Sequence, residues 1–203
     1  MRKISYFMLM AVLLFSACKE SYKKGDEGLE YMIIKDGKGE KVKYGNYMEL
    51  HIGQYYSTGK TDSLISDSRT GIPAFEMLDS VRTPMAYYKV LSQLRKGDSL
   101  VIRVLADSVF KKNPESWPPF IKKGHMLITT VKMLNFFETR DQADSARKAQ
   151  IAIAEKKQAV KDALTIKEDE KTLNAYFAKN NIKAVKAPKG TYVEIIQPGA
   201  GSN

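Results

Sequence analysis

The sequence predicts an α+β fold that contains an antiparallel sheet and one short helix and is followed by a helical linker. Two observations support this prediction. Apolar and polar residues alternate in several short segments, which is the period-2 pattern of strands that bury one face. Between these segments, Tyr87, Val90, Leu91 and Leu94 recur at i, i+3, i+4 and i+7, the spacing of one helix face. Because strands precede and follow a single helix, an antiparallel sheet is favoured over a parallel one.

Each element has its own pattern. In the second predicted strand, Met48, Leu50 and Ile52 alternate with polar neighbours, and β-branched residues dominate the third. Gly97 ends the helix, as glycine commonly does at a helix C-terminus. The predicted strands are residues 31–34, 46–56, 99–105 and 126–137, the helix is 86–94, and 57–71 and 114–124 are loops.

Composition excludes several classes of function. The chain has 203 residues, one cysteine and two histidines, so an intrachain disulfide or a multi-cysteine zinc site is excluded. We predict no cofactor and no metal. The net charge of +10 is spread along the chain rather than gathered in one patch, so nucleic acid is not a predicted partner.

The N-terminus has the pattern of a signal for export. Arg2 and Lys3 precede an uncharged apolar run, and Ser16 and Ala17 precede Cys18. This resembles a bacterial lipoprotein signal, in which the cysteine is acylated and becomes the new N-terminus. The alternative is a plain secretory signal with an incidental cysteine. We predict a signal peptide at residues 1–17, a lipidated tether at 18–27, and a lipid-anchored place in the bacterial envelope, in the periplasm or at the outer membrane.

The body of the chain carries an ordered set of motifs. These are Gly28-Leu29-Glu30-Tyr31 with Gly37 and Gly39, Ile65-Ser66-Asp67-Ser68-Arg69, Leu94-Arg95-Lys96-Gly97-Asp98, Trp117-Pro118-Pro119-Phe120-Ile121, and Val131-x-Met133-Leu134. In this order and spacing they resemble the FKBP-type peptidyl-prolyl isomerases. The resemblance covers residues 28–138 and implies an FKBP-like domain there, in which the antiparallel sheet is half wrapped around one short helix.

The resemblance implies a function that needs no covalent chemistry. An X–Pro bond rotates over a barrier of about 18–20 kcal/mol. An apolar pocket that favours the twisted bond lowers it. We therefore expect a peptidyl-prolyl isomerase that binds X–Pro segments and helps exported proteins to fold. The alternative is a non-catalytic FKBP-like lipoprotein that binds polypeptides as a chaperone or scaffold.

The resemblance also implies a substrate-binding pocket. Tyr87 stands where the family carries the Trp of the pocket floor, and Phe110 where it carries a Tyr whose hydroxyl donates to the ligand. Pro84 replaces a residue whose backbone N–H binds a ligand carbonyl, and proline has no N–H. No residue is assigned a catalytic role. The implied substrate-binding residues are His51, Ile65, Asp67, Tyr87, Phe110, Trp117, Phe120 and Ile121.

Three of these assignments have alternatives. His51 matches a pocket Tyr of the family when the strand is aligned by Gly53, but Ile52 matches it when aligned by its apolar face. Asp67 and Ser66 both fit the pocket Asp. The aromatic loop 117–121 is either part of the core or a partner-binding loop.

A helical linker is predicted at residues 139–182. Thr139-x-x-Gln142 is a capping-box pattern that starts a helix. Thr165-x-x-Glu168 is a second such pattern, which predicts a break or a kink. The segment resembles the linker helix of Mip-like FKBPs, which implies either a dimer through this helix or a helix that holds a substrate cleft open; a plain spacer is the alternative.

The sequence also contains a repeat. Residues 28–39 align without gaps with residues 190–201, and Gly28, Ile33, Ile34, Gly37 and Gly39 are identical at an offset of 162. A repeat at fixed offset redefines the domain organisation. We predict that residues 183–203 hold the first strand of a second, truncated FKBP-like domain. The alternative is a lone strand that adds to the first sheet.

Overall fold

A computed structural model describes residues 21–35, 37–111, 114–116, 118–197, 199 and 201. The predicted signal peptide, Cys18 and Trp117 lie outside the described residues. Internal contacts divide the chain into two compact units, Met1–Ile151 and Ala152–Asn203.

The first unit is built on one antiparallel sheet. In the described residues its strand order is β1-β2-β6-β7-β3-β4, and β5 also pairs with β3. The strands are β1 (Lys23–Lys24), β2 (Glu30–Ile34), β3 (Tyr47–Ser57), β4 (Asp62–Asp67), β5 (Ala74–Met77), β6 (Ser99–Leu105) and β7 (Met126–Phe137). The helices are α1 (Met85–Leu91) and α2 (Ala106–Phe110), and short 3-10 turns occupy Asp26–Gly28, Ser68–Thr70 and Pro114–Ser116. The predicted α+β class is thus confirmed.

The core lies between the sheet and α1. The helix buries Ala86 and Val90, which are the small and β-branched members of its apolar face. The strands supply alternate residues, as the period-2 pattern requires. The buried hydrophobic cluster comprises Leu29, Val42, Met48, Leu50, Leu78, Ala86, Val90, Leu94, Leu100, Ile102, Val131 and Met133.

The predicted loop 57–71 is wrong in part, because it contains β4. This strand lies at the sheet edge and leaves Leu64 and Ile65 exposed, so its sequence lacks the alternation of a half-buried strand. It pairs with β3, from Gly53 opposite Asp67 to Ser57 opposite Asp62. The short edge strand β5 and the helix α2 were not predicted.

A third helix, α3 (Arg140–Asn180), begins at the predicted capping box. The Gln142 backbone N–H donates to Thr139 Oγ1 at 3.3 Å, and the Thr139 N–H donates to Gln142 Oε1 at 3.3 Å. The predicted break at Thr165 is wrong, because α3 continues through it. Ala163 and Leu164 are strong helix formers, so the chain does not leave the helix where a cap would act.

We expect Thr139→Ala to lower the free energy of unfolding of the first unit by about 1 kcal/mol, because the first turn of α3 loses its cap. Urea unfolding followed by circular dichroism measures this. Thr165→Ala is the matched control: the same substitution in mid-helix should leave stability unchanged or slightly raise it. Equal losses for the two variants would contradict the capping role.

The second unit contains the rest of α3 and a small hairpin. Its strands are β8 (Val185–Lys186) and β9 (Tyr192–Val193), which pair antiparallel. Tyr192 packs on Phe177 of α3, with 5.2 Å between ring centroids. Among the described residues, none of the helices is long and apolar enough to cross a membrane.

Candidate functional site

Two adjoining cavities form one groove on the first unit. The inner cavity has a volume of about 470 Å³ and the outer one about 300 Å³. Both are lined by Gln54, Tyr87 and Thr129, which therefore stand at the middle of the groove. The other inner residues are Met48, Leu50, Ile52, Glu76, Met77, Arg82, Thr83, Leu91, Ile102 and Val131. The other outer residues are Tyr55, Ile65, Val104, Val109, Phe110, Pro118, Phe120, Ile121, Leu127 and Ile128.

The strand periodicity explains the groove floor. Alternate residues of β3, from Met48 to Gln54, line the groove. The register then sets Ile52 opposite Val131 and Gln54 opposite Thr129 on β7. Ile102 of β6 pairs with Thr129 on the other side of β7. Three strands thus contribute one continuous apolar surface with a polar pair, Gln54 and Thr129, at its centre.

Tyr87 is the aromatic residue at the junction of the two cavities. The i+4 step along α1 brings Leu91 to the same cavity. Burial raises the pKa of the Tyr87 phenol above its ordinary value. The hydroxyl can donate a hydrogen bond to a ligand.

Polar groups at the groove are few and separated. Ser66 Oγ donates to Gln54 Oε1 at 3.0 Å, which orients the amide at the middle of the groove. At the inner end, Arg82 Nε lies 3.8 Å from Asp79 Oδ2. Within the described residues, no group of three or more His, Cys, Asp or Glu is arranged to hold a metal ion.

The structure brings together five of the sequence-predicted site residues. Tyr87, Phe110, Ile65, Phe120 and Ile121 all line the outer cavity. Ile121 is buried, whereas Phe120 is half exposed and lies 5.4 Å from the Tyr56 ring.

Two further predicted residues, Asp67 and His51, are not among those that line the groove. Asp67 caps the turn that follows β4, accepting from the Arg69 N–H at 2.8 Å. This backbone hydrogen bond and the Arg69 guanidinium lower the pKa of its carboxyl. His51 alternates away from the groove in β3, and its Nδ1 is 3.3 Å from Ser68 Oγ. Of the two candidates on this strand, Ile52 is the one that lines the groove.

Sequence reasoning missed several groove residues, above all Gln54. The signal was present, because the alternation of Met48, Leu50 and Ile52 extends by one more step of two to Gln54. No sequence pattern indicated Glu76 or Arg82. Glu76 lies in the unpredicted edge strand β5, and the position of Arg82 depends on the path of the chain between β5 and α1.

Comparisons with known proteins give structural likeness only. No protein-family model and no curated protein matches the sequence. Similar solved structures include the N-terminal domain of FKBP42 from Arabidopsis thaliana, with 18% identity over 60% of this chain and 95% of that chain and a TM-score of 0.46. FkpA from Escherichia coli has 19% identity over 63% of this chain and 56% of that chain, with a TM-score of 0.43. A peptidyl-prolyl cis-trans isomerase from Pseudomonas syringae has 14% identity over 63% of this chain and 89% of that chain, with a TM-score of 0.43. These similarities assign no role to any residue of this chain.

Proposed function

We propose that the first unit binds proline-containing segments of exported polypeptides in the groove and catalyses rotation about the X–Pro bond. The observation that carries the proposal is a largely apolar groove with the Tyr87 ring at the junction of its two cavities. The cavity volumes fall within the range of about 300–1,000 Å³ that ligand pockets have. This activity corresponds to an FKBP-type peptidyl-prolyl isomerase that assists protein folding.

The chemistry requires only differential binding. Rotation about the X–Pro bond removes amide resonance over a barrier of about 18–20 kcal/mol, and no bond is broken. The twisted amide has less charge separation than the planar one, so an apolar floor that excludes water favours it. Tyr87, Gln54 and Thr129 can donate hydrogen bonds to the carbonyls that flank the proline and hold the chain during rotation.

A second candidate function is polypeptide binding without catalysis. Two donors that the sequence resemblance implies are missing, because Phe110 has no hydroxyl and Pro84 has no backbone N–H. Under this alternative the groove holds an unfolded or partner polypeptide without accelerating rotation.

Phe110→Tyr separates the two candidates. If the groove catalyses rotation, a hydroxyl on its outer wall should raise kcat/KM for a proline-containing peptide about 2- to 10-fold, the worth of one hydrogen bond. Phe177→Tyr is the control, since this side chain belongs to the second unit and lines neither cavity. A variant that binds the peptide more tightly while the isomerisation rate remains at background would favour the non-catalytic candidate.

The proposal includes anchoring through Cys18. Stable anchoring takes more than one acyl chain, since a single chain binds a membrane only marginally. We expect the full chain, expressed in a bacterial host, to incorporate labelled fatty acid and to sediment with membranes. Cys18→Ser should abolish both, with Ser16→Ala as the matched control. If the Cys18→Ser variant still incorporated the labelled fatty acid, another residue would carry the lipid.

The proposal also includes a dimer through α3. Ile153, Val160 and Leu164 lie on one helix face and are 48–63% exposed. A second copy that pairs along this face would cover them, whereas a plain spacer would leave them in water. Sedimentation velocity tests this. We expect the full chain to sediment as a dimer and Leu164→Lys as a monomer, whereas a full chain that sediments as a monomer would favour the plain spacer.

A further inference from the structure

A separate cavity of the first unit, with a volume of about 420 Å³, has a lining rich in cations. None of its lining residues lines the groove. Four cations stand against one carboxylate, so we call it the basic cavity. It is lined by Ser21, Lys23, Met32, Ile33, Lys35, Lys41, Gln93, Arg95 and Asp98.

The fold places two of these cations directly opposite each other. Lys41 pairs with Arg95 in an isolated antiparallel β-bridge between the segment after β2 and the segment after α1. Residues paired in this way carry their side chains on the same face, where two like charges destabilise the pairing. The Arg95 guanidinium also donates to the Gly39 carbonyl, which limits its movement. An anion bound by both side chains would offset their repulsion.

The part of the chain that the structure describes supplies no counter-charge. Asp98 lines the cavity but is only 2% exposed, and its two oxygens already accept from the backbone N–H groups of Gly37 and Arg95. No described carboxylate lies within ion-pair distance of any of the four cations. The basic cavity is therefore suited to a bound anion.

The lining also indicates which anion fits. The planar guanidinium of Arg95 presents paired N–H donors that match a phosphate group, and lysines bind phosphate as point charges. Met32 and Ile33 add an apolar wall to the same cavity. Inorganic phosphate would leave that wall in water, whereas a phospholipid carries glycerol and acyl carbons beside its phosphate. Cationic and aliphatic side chains together favour a lipid headgroup.

The basic cavity is next to the proposed site of lipidation in the chain. Ser21 lines the cavity, and Cys18 precedes Ser21 by three residues. Three residues of fully extended chain span at most about 11 Å. Acyl chains on Cys18 would therefore hold the cavity at the membrane surface, where anionic lipids attract each nearby Lys or Arg.

We propose that the basic cavity binds the phosphate group of an anionic phospholipid in the membrane that holds the chain. This proposal rests on the proposed anchoring at Cys18. Arg95 and Lys41 bind the phosphate, and Lys23 and Lys35 add to the attraction. An acyl anchor and a basic surface together bind a membrane more stably than one acyl chain does. Because the groove uses none of these residues, it stays available to a polypeptide while the lipid is bound.

Lysine acetylation on vesicles tests the proposal. The full chain is isolated from the bacterial host and incorporated into vesicles of phosphatidylcholine alone, or of phosphatidylcholine and phosphatidylglycerol in equal parts. A neutral acetylating reagent is added, and mass spectrometry measures the rate at each lysine. We expect phosphatidylglycerol to slow acetylation of Lys23, Lys35 and Lys41 about fivefold or more, the effect of one cation held at an anionic surface.

Lys24 is the internal control for this measurement. It follows Lys23 in β1, so its side chain lies on the opposite face of the strand, and it does not line the basic cavity. Both lysines are equally close to Cys18 in practical terms, so general attraction to the membrane acts on both. We expect phosphatidylglycerol to slow acetylation of Lys24 far less than that of Lys23.

Two variants test the role of the cations. Arg95→Gln should return the acetylation rate of Lys41 to its value on phosphatidylcholine. Arg140→Gln, at a side chain that is 78% exposed and does not line the cavity, should leave Lys41 protected. Because Arg95 also contacts Gly39, the exposed substitution Lys35→Gln provides a second test, and it should likewise raise the rate at Lys41.

Three outcomes would overturn the proposal. Lining lysines that react equally fast on both kinds of vesicle would show that the cavity takes no headgroup. Equal slowing at Lys24 would show diffuse attraction to the surface instead of a site. The same slowing by glycerol phosphate added to phosphatidylcholine vesicles would make a soluble phosphate the occupant.

Sedimentation of the same samples measures anchoring separately. A chain that sediments with both kinds of vesicle while its lining lysines stay unprotected refutes lipid binding in the cavity and leaves the anchoring proposal standing. A chain that stays in solution with phosphatidylcholine vesicles but is protected by phosphatidylglycerol refutes the anchoring at Cys18 alone.

Discussion

Tyr87→Ala is expected to reduce kcat/KM for a proline-containing peptide by about 10- to 100-fold. The side chain lines both cavities, so its removal opens the floor at the point where a proline ring would be seated. Loss of an apolar contact of this size costs about 1.5–3 kcal/mol, which converts to one or two powers of ten in rate. A protease-free isomerisation assay, with peptide binding measured in parallel, tests both steps.

Two variants make this result interpretable. Tyr87→Phe keeps the aromatic ring and removes only the hydroxyl, so we expect a loss of less than about tenfold. Tyr44→Ala removes a tyrosine that is 62% exposed and lines neither cavity, and should leave the rate unchanged. If Tyr87→Ala binds and isomerises the peptide as well as the parent chain does, the groove is not the site. If Tyr87→Ala still binds the peptide but no longer isomerises it, Tyr87 contributes to rotation about the X–Pro bond rather than to peptide binding.

Asp98→Ala is expected to lower the free energy of unfolding of the first unit by about 2–4 kcal/mol. The carboxylate is only 2% exposed and joins two distant parts of the chain. Oδ1 accepts from the Gly37 N–H at 2.9 Å and Oδ2 accepts from the Arg95 N–H at 2.8 Å. Alanine leaves both donors without their acceptor in a buried place, and each loss costs about 1–3 kcal/mol.

Urea unfolding followed by circular dichroism measures the effect of Asp98→Ala. Asp98→Asn retains one acceptor oxygen and should lose about half as much, whereas Asp62→Ala, at an exposed position of β4, should lose less than about 0.5 kcal/mol. A loss for Asp98→Ala no greater than that for Asp62→Ala would show that the two hydrogen bonds contribute nothing to stability.

Gly37 explains why the sequence carries glycine at this junction. A Cβ on Gly37 would lie 2.6 Å from the Lys96 carbonyl oxygen and 2.7 Å from Asp98 Oδ1. Since the first of these atoms is backbone, no side-chain movement relieves the contact. The motif that contributed to the sequence resemblance is therefore a packing requirement between the turn after β2 and the turn before β6.

Some elements followed directly from the sequence. The predicted strands 99–105 and 126–137 coincide with β6 and β7, and the capping box at Thr139 starts α3. In each case the determining interactions are local or periodic. A long alternation of apolar and polar residues specifies which face of a strand is buried, and a cap is made within one helical turn. The α+β class follows from the order of these elements.

Other features required the tertiary structure. The strand β4 exists because β3 offers it a partner, and its own exposed residues carry no alternation. The choice between His51 and Ile52 depended on which face of β3 meets the groove. The pairing of Gln54 with Thr129 depended on the register between two strands that are distant in sequence.

The sequence by itself thus determined the class of fold, the central strands and the presence of a repeat, because these rest on periodicity and local capping. Only the tertiary structure decided the edge strands and the polar centre of the groove. The physical reason is that strand register and groove shape arise from contacts between residues far apart in the chain, whose partners no local pattern identifies.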